Sequence, residues 1–315
     1  MLEEIINKPR FIEIINDFMR VSSSQNCRGY SLKASNKQGL LWDYNGTHEE
    51  IIAPKQDWDI LNTCGVTKLV TSFSDNKMGQ KELGASDWKD WFLSRALDCY
   101  VIPDTNFILN HYCSALLSPI LGQSFKTLHF RLPRLVVLEI ERQGNEKGEE
   151  KKRWAFYGAR EVTFIRKAVD DFDNLPDCGD SLITSFPTQA GIGFTDMWIR
   201  REIHHALDFR MRPSRPILFL TSDLMNALAA EAEGLQTCYF CRIPQEKFFI
   251  ADNINEHLFN LILATAIKYG EITLDLIIGG KVYLSYNLHG MWSGKTTSEW
   301  YSDSIKLKLI DETPK

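Results

Sequence analysis

No stretch of this sequence is apolar enough to cross a bilayer. Its longest candidates, such as LFNLILATAI at 258–267, fall short of the roughly 18 to 20 residues a membrane helix needs and read as core helices. The opening MLEEIINKPR lacks a basic region followed by an apolar one, so no secretion signal is expected there. Cysteine is sparse and odd in number, seven among 315 residues, which suits free thiols in a reducing compartment better than a disulfide framework. These absences lead to the expectation of an intracellular, cytoplasmic protein with no membrane partner. Positive charge is not in excess either: 36 Lys and Arg against 41 Asp and Glu leave a net charge of −5. That balance does not point to nucleic acid, nor does it exclude it, since an acidic centre can coexist with local basic patches. No GxGxxG is present, His204-His205 with Glu202 is no HExxH, and GMWSGKT at 290–296 is one residue short of a phosphate loop.

What is present has three parts. Residues 1–98 read as an N-terminal accessory segment: a helix over 3–19 broken at Pro9, a hairpin from GYSLKA and GLLWDY, and a helix over SDWKDWFLSRALD. From 99 to 245 short apolar strands alternate with helices. YVIP is a strand and TNFILNHYCSALL a helix; RLVVLEIERQ starts as a strand and turns helical, as does VTFIRKAVDDF. DMWIRREIHHALDFRM is a helix, PILFLTS a strand, LMNALAAEAE a helix stopped by Gly234, and LQTCYFCRI a last strand. This alternation predicts an α/β fold with a parallel sheet, whose ligands sit outside the carboxyl ends of the strands. Residues 246–315 give a helix, a hairpin turning at Gly279-Gly280 and a strand SIKLKLI, an α+β module that the N-terminal strands could complete.

Four acids fall at comparable places in the middle segment. Asp104 follows the first strand, Glu139 ends RLVVLE, Asp196 opens the DMWIRREI helix, and Asp223 follows ILFLTS. Each alone reads as a helix cap or a first-turn acid, worth about 1 kcal/mol. Together at one sheet rim they would repel unless protonated or neutralised by a cation. Hard oxygen donors select Mg²⁺ or Mn²⁺, and two such ions about 4 Å apart can clamp a phosphodiester.

The strings PDTNFIL, LPRLVVLEIER, TDMWIRREI and ILFLTSDLMNALAAEAEGL, in that order, resemble the PIN-domain nuclease family over about residues 99–243. The resemblance implies a PIN-like α/β/α core and a metal-dependent endoribonuclease acting on single-stranded RNA. It makes Asp104, Glu139, Asp196 and Asp223 the ligands of one or two Mg²⁺ or Mn²⁺ ions, with Asn106 beside them and Thr221 in a helping role. Loops over 142–153 and 173–195 would make this chain longer than compact members; Asp180 competes for the third acid's role, and Asp170, Asp171 and Asp173 read as a solvated helix end. Two other readings stand beside it: an inactive PIN-fold scaffold that binds RNA, and a flap-type DNA nuclease, whose extra acids and helix–turn–helix loop are not found.

Weaker signals surround these acids. Lys151-Lys152-Arg153 next to Trp154, Phe156 and Tyr157 combine charge with stacking surfaces, the ingredients for single-stranded nucleic acid. Arg200, Arg201, Arg210, Arg212 and Arg215 lie on or after the Asp196 helix, within reach of phosphates or on an exposed face. Cys238 and Cys241 read as strand residues of a core, and homo-oligomerisation is left open.

Overall fold

In the computed structural model the described residues are 3–6, 10, 12–14, 16, 30–54, 57–63, 69–74, 80–145, 149–175, 195–209, 215–243, 247–249, 254–290 and 307–311. The chain divides into two compact units, one of Lys68–Glu146 and Gly158–Ile243, the other of Met1–Thr67, Lys147–Tyr157 and Pro244–Lys315. The division differs from the three-part sequence reading. Residues 68–98 go with the middle of the chain, because Leu69–Phe73 pairs antiparallel with Gln236–Arg242.

The first unit is built on a seven-stranded sheet. Five strands run parallel: Tyr100–Pro103, His129–Leu132, Asp171–Asn174, Ile217–Thr221 and Gln236–Arg242. Numbered by chain position, their spatial order is third, second, first, fourth, fifth. The direction of winding therefore reverses between Tyr100–Pro103 and Ile217–Thr221, and such a switch point opens a crevice outside the strand ends. Ile217–Thr221 is buried along its whole length, as a central parallel strand should be. Antiparallel strands Leu69–Phe73 and Lys81–Glu82 extend one edge. The helix Trp88–Ala96 is fastened near that edge: Trp88 stacks on Phe92 at 4.9 Å and donates its indole N–H to Thr71 Oγ1 at 2.6 Å.

Three assignments along the middle of the chain change. RLVVLEIERQ is helical throughout, in Arg134–Asn145, and the strand before it is His129–Leu132. Its apolar run is locally strand-like, but Glu202 accepts from the backbone N–H of Arg134 at 2.7 Å and of Leu135 at 3.0 Å, satisfying two donors at the helix start. VTFIRKAVDDF belongs to the helix Glu149–Ala168 and then the strand Asp171–Asn174, so Asp171 and Asp173 are strand residues rather than a helix end. Asp171 is paired with Arg131 at 2.8 Å, which holds its carboxyl below the usual range. Residues 149–153 are helical rather than loop, while Asp180 and the rest of 176–194 lie outside the described residues.

The second unit is an eight-stranded antiparallel sheet in the order Glu3–Ile6, Leu307–Asp311, Lys281–Gly290, Glu271–Ile278, Tyr30–Asn36, Gly39–Asn45, Glu50–Ile52, Phe248–Phe249. N- and C-terminal strands thus share one sheet. Glu3–Ile6, expected in a helix, pairs with Leu307–Asp311; a long-range ladder has overridden local spacing. Pro9 lies outside the described residues. Glu271–Ile278 alternates buried and less buried side chains, and the helix Ile254–Tyr269 buries Leu258, Phe259, Leu261, Ile262 and Leu263 in the core. No helix among the described residues is long and apolar enough to cross a membrane.

Candidate active site

At the switch point two neighbouring parallel strands end side by side. Asp104 follows Tyr100–Pro103, and its N–H donates to Leu220 O of the adjacent strand at 3.0 Å. The backbone at Asp104 is extended (φ −82°, ψ 177°), and Oδ1 caps the helix Thr105–Leu109 by accepting from Phe107 N–H at 2.7 Å. Its other oxygen, Oδ2, accepts from the Thr221 hydroxyl and from Asn226 Nδ2 at 3.1 Å. Asp104 is fully buried, and three hydrogen bonds leave one of a carboxylate's roughly four acceptor positions.

Asp223 mirrors it on the next strand. Asp223 caps Leu224–Ala232 by accepting from Asn226 N–H at 3.0 Å, and its own N–H donates to Thr221 Oγ1 at 3.0 Å. Thr221 therefore links the two acids through one hydroxyl. The helix after Asp223 ends at Gly234, whose φ of +85° favours glycine.

Glu139 and Asp196 arrive from helices rather than strand ends. Glu139 lies in the second turn of Arg134–Asn145 and accepts from the Thr105 hydroxyl, the residue after Asp104. Asp196 is in the first turn of Thr195–Phe209. Glu202, two turns further along that helix and buried, caps the helix that carries Glu139. The two acid-bearing helices are thereby fixed to each other.

Electrostatics ties the four together. Burial pushes the Asp104 carboxyl up to about 7 against the bonds from Thr221 and Phe107, and the charge of Asp196 adds to the rise. Asp196 is pushed up to about 6, first by burial and then by Glu139 and Asp223, while Arg200 pulls it back. Tyr239, on the strand beside Asp223, is raised to about 12, chiefly by burial, with the charge of Asp223 among the causes. Asp196 is the common neighbour of the other three acids. Among the described residues no three His, Cys, Asp or Glu side chains stand where they could hold a metal ion, so the acids share a field rather than a closed ligand shell. The donor chemistry, carboxylate oxygens only, is of the kind Mg²⁺ and Mn²⁺ take.

The other expected residues divide. Asn106 is exposed in the first turn after Asp104. Arg200 is buried rather than presented to solvent: Nη1 donates to Asn226 Oδ1 at 2.6 Å and Nε to Glu233 Oε1 at 3.0 Å. Arg201 is exposed, its guanidinium 4.9 Å from the Trp198 ring centre. Arg210 and Arg212 lie outside the described residues, and Arg215 donates to Leu97 O at 3.0 Å. Lys151, Lys152 and Arg153 fall in the other compact unit, where Trp154 and Tyr157 are buried in its core rather than open for stacking.

Asn226 was not singled out from the sequence. It donates to Asp104, accepts from Arg200, and its backbone is capped by Asp223. An asparagine buried inside an otherwise Ala- and Leu-rich helix was the one available signal, because a buried amide needs partners. Compared with protein-family models the chain matches none, and compared with curated proteins it matches none significantly.

Proposed function

We propose that the parallel-sheet unit is a metal-dependent endoribonuclease of PIN type, hydrolysing phosphodiester bonds of single-stranded RNA. One observation carries the reading: Asp104, Glu139, Asp196 and Asp223, far apart in the chain, lie in one electrostatic neighbourhood at the sheet's switch point. Two of these carboxyls, Asp104 and Asp196, are raised toward neutrality, first by burial and then by the charge of neighbouring acids. The reading requires the four to close around one or two Mg²⁺ or Mn²⁺ ions, which would supply the positive charge that attack of water on a phosphodiester requires. Around them the chain's own groups orient the acids. Thr221 and Asn226 fix Asp104, Thr105 fixes Glu139, and Arg200 limits the rise of Asp196 while gripping Asn226.

Asp104→Asn and Asp223→Asn are expected to abolish Mg²⁺- or Mn²⁺-dependent cleavage of a single-stranded RNA with the circular dichroism spectrum unchanged. Cleavage at the wild-type rate by both variants would end the proposal. A second reading, a scaffold that binds RNA without cutting it, is favoured by the full burial of Asp104 and by the absence of a closed three-ligand group among the described residues. RNA binding with no cleavage in Mn²⁺ would select it.

A further inference from the structure

Asp196, Arg200 and His204 follow one another at intervals of four along the helix Thr195–Phe209, so they share one stripe of it. An aspartate and an arginine at that spacing ordinarily pair on their own helix. Here the arginine turns to the next helix instead. Its Nη1 donates to Asn226 Oδ1 at 2.6 Å, and its Nε donates to Glu233 Oε1 at 3.0 Å. Its hold on Asp196 is correspondingly slight: among the influences on that carboxyl Arg200 comes last, behind burial, Glu139 and Asp223.

Glu233 is the anion that the arginine meets. It is the C-cap of the helix Leu224–Ala232, its backbone N–H donates to Ala229 O at 3.0 Å, and the residue is exposed. Its other oxygen, Oε2, lies 3.4 Å from His204 Nε2. Glu233 is thus joined to the acids through Arg200 and Asn226.

Asn226 is the link into the site. A side-chain amide can present either its oxygen or its nitrogen, whereas a guanidinium can only donate. The bond from Arg200 therefore takes Oδ1 and leaves Nδ2 to donate to Asp104 Oδ2, at 3.1 Å. Glu233, Arg200, Asn226 and Asp104 form one line of bonds from an exposed helix end to a fully buried carboxylate. Its outermost bond joins two full charges, which makes it stronger than a bond between neutral groups.

We infer that Glu233 is a positioning residue of the candidate site: it holds Arg200 off Asp196 and against Asn226, which aims the Asn226 N–H at Asp104. This rests on the nuclease reading. Glu233→Gln removes the charge and keeps the shape, and Glu233→Asp keeps the charge. In the metal-free protein the Asn226 side-chain amide and the Arg200 Nε–H give separate nitrogen–proton NMR signals. Both are expected to shift in Glu233→Gln and to return part of the way in Glu233→Asp, with the circular dichroism spectrum unchanged. Wild-type positions for both signals in Glu233→Gln would overturn the inference.

The second readout is steady-state cleavage of oligouridine with Mg²⁺ or Mn²⁺. Glu233→Gln should lower kcat about tenfold, the typical loss when a group that orients a site from its outer layer is removed. KM should stay at the wild-type value, because Glu233 acts on the acids and not on the bound RNA. Glu233→Asp should recover part of kcat. An unchanged kcat, or a change confined to KM, also overturns the inference. Wild-type protein that cuts no RNA defeats the nuclease reading instead, and the NMR signals then decide the positioning by themselves.

Discussion

The two compact units use polar groups inside the protein in opposite ways. In the antiparallel unit the interior is chiefly apolar; its polar contacts include Trp42 Nε1 donating to Thr265 Oγ1 at 3.0 Å and the part-buried cluster of Lys268 and Tyr269 with Asp57 and Asp59. In the parallel unit Asp104, Thr105, Asn110, Glu161, Arg200, Glu202, Thr221 and Asn226 are all buried. Most of them connect, bond by bond, toward one rim. Glu161 lies apart from that chain; it accepts from Ser114 N–H at 2.8 Å and stands 3.3 Å from His111. A buried polar group costs stability unless it is satisfied, so a network of them converging on one edge stands only because its members satisfy one another. A lone fastening implies only packing.

The comparison is broken most forcefully at Glu202. Glu202→Ala removes a buried carboxylate and leaves the N–H groups of Arg134 and Leu135 without their cap. A loss of about 3 kcal/mol is expected from two orphaned donors in a buried setting. Denaturant unfolding would measure it, and Mg²⁺-dependent cleavage should fall with it because Glu139 and Asp196 lose their common tie. A neutral result would mean the polar interior is as incidental here as in the antiparallel unit.

A pH series sharpens the contrast next. Asp104 and Asp196 are raised in the fold to about 7 and about 6 from an ordinary 3.8, so between those values the folded protein binds more protons than the unfolded one. Their contribution is complete below pH 3.8 and is lost as pH rises through 6 and 7. With EDTA present, the unfolding temperature of the parallel unit should therefore fall between pH 5 and pH 8, and Asp196→Asn should flatten the fall. A rise over that range in the wild type would contradict the arrangement.

The smallest effect belongs to the antiparallel unit. Thr265→Val keeps the side chain's shape but deprives Trp42 Nε1–H of its acceptor, at about 1 to 2 kcal/mol. Calorimetry should show the loss, while RNA cleavage per folded molecule stays at the wild-type level. Reduced cleavage would mean that the two interiors are not separate in purpose.

How much of this was legible in the sequence follows from how local each cause is. YVIP-Asp and ILFLTS-Asp could be read because a short apolar run, an acid and a helix lie in direct succession. Asp104 and Asp223 accordingly sit at adjacent strand ends. RLVVLEIER could not, since its helix is started by Glu202, which lies far along the chain. Arg200 sits beside Arg201 in a basic pair, and nothing local tells which guanidinium turns inward to Asn226. The length of Gln236–Arg242 beyond Thr221 was invisible for the same reason, since it appears only once its pairing with Ile217–Thr221 and with Leu69–Phe73 is known.

That extra length has a practical meaning for where the working unit begins. A fragment cut to start at residue 99 would retain all four acids and every parallel strand, yet it would discard the Leu69–Phe73 brace opposite Arg242. The projecting end would then be a bare edge strand, prone to fray or to recruit another chain. All four acids can survive such trimming on paper while the strand that flanks their sheet is thrown away.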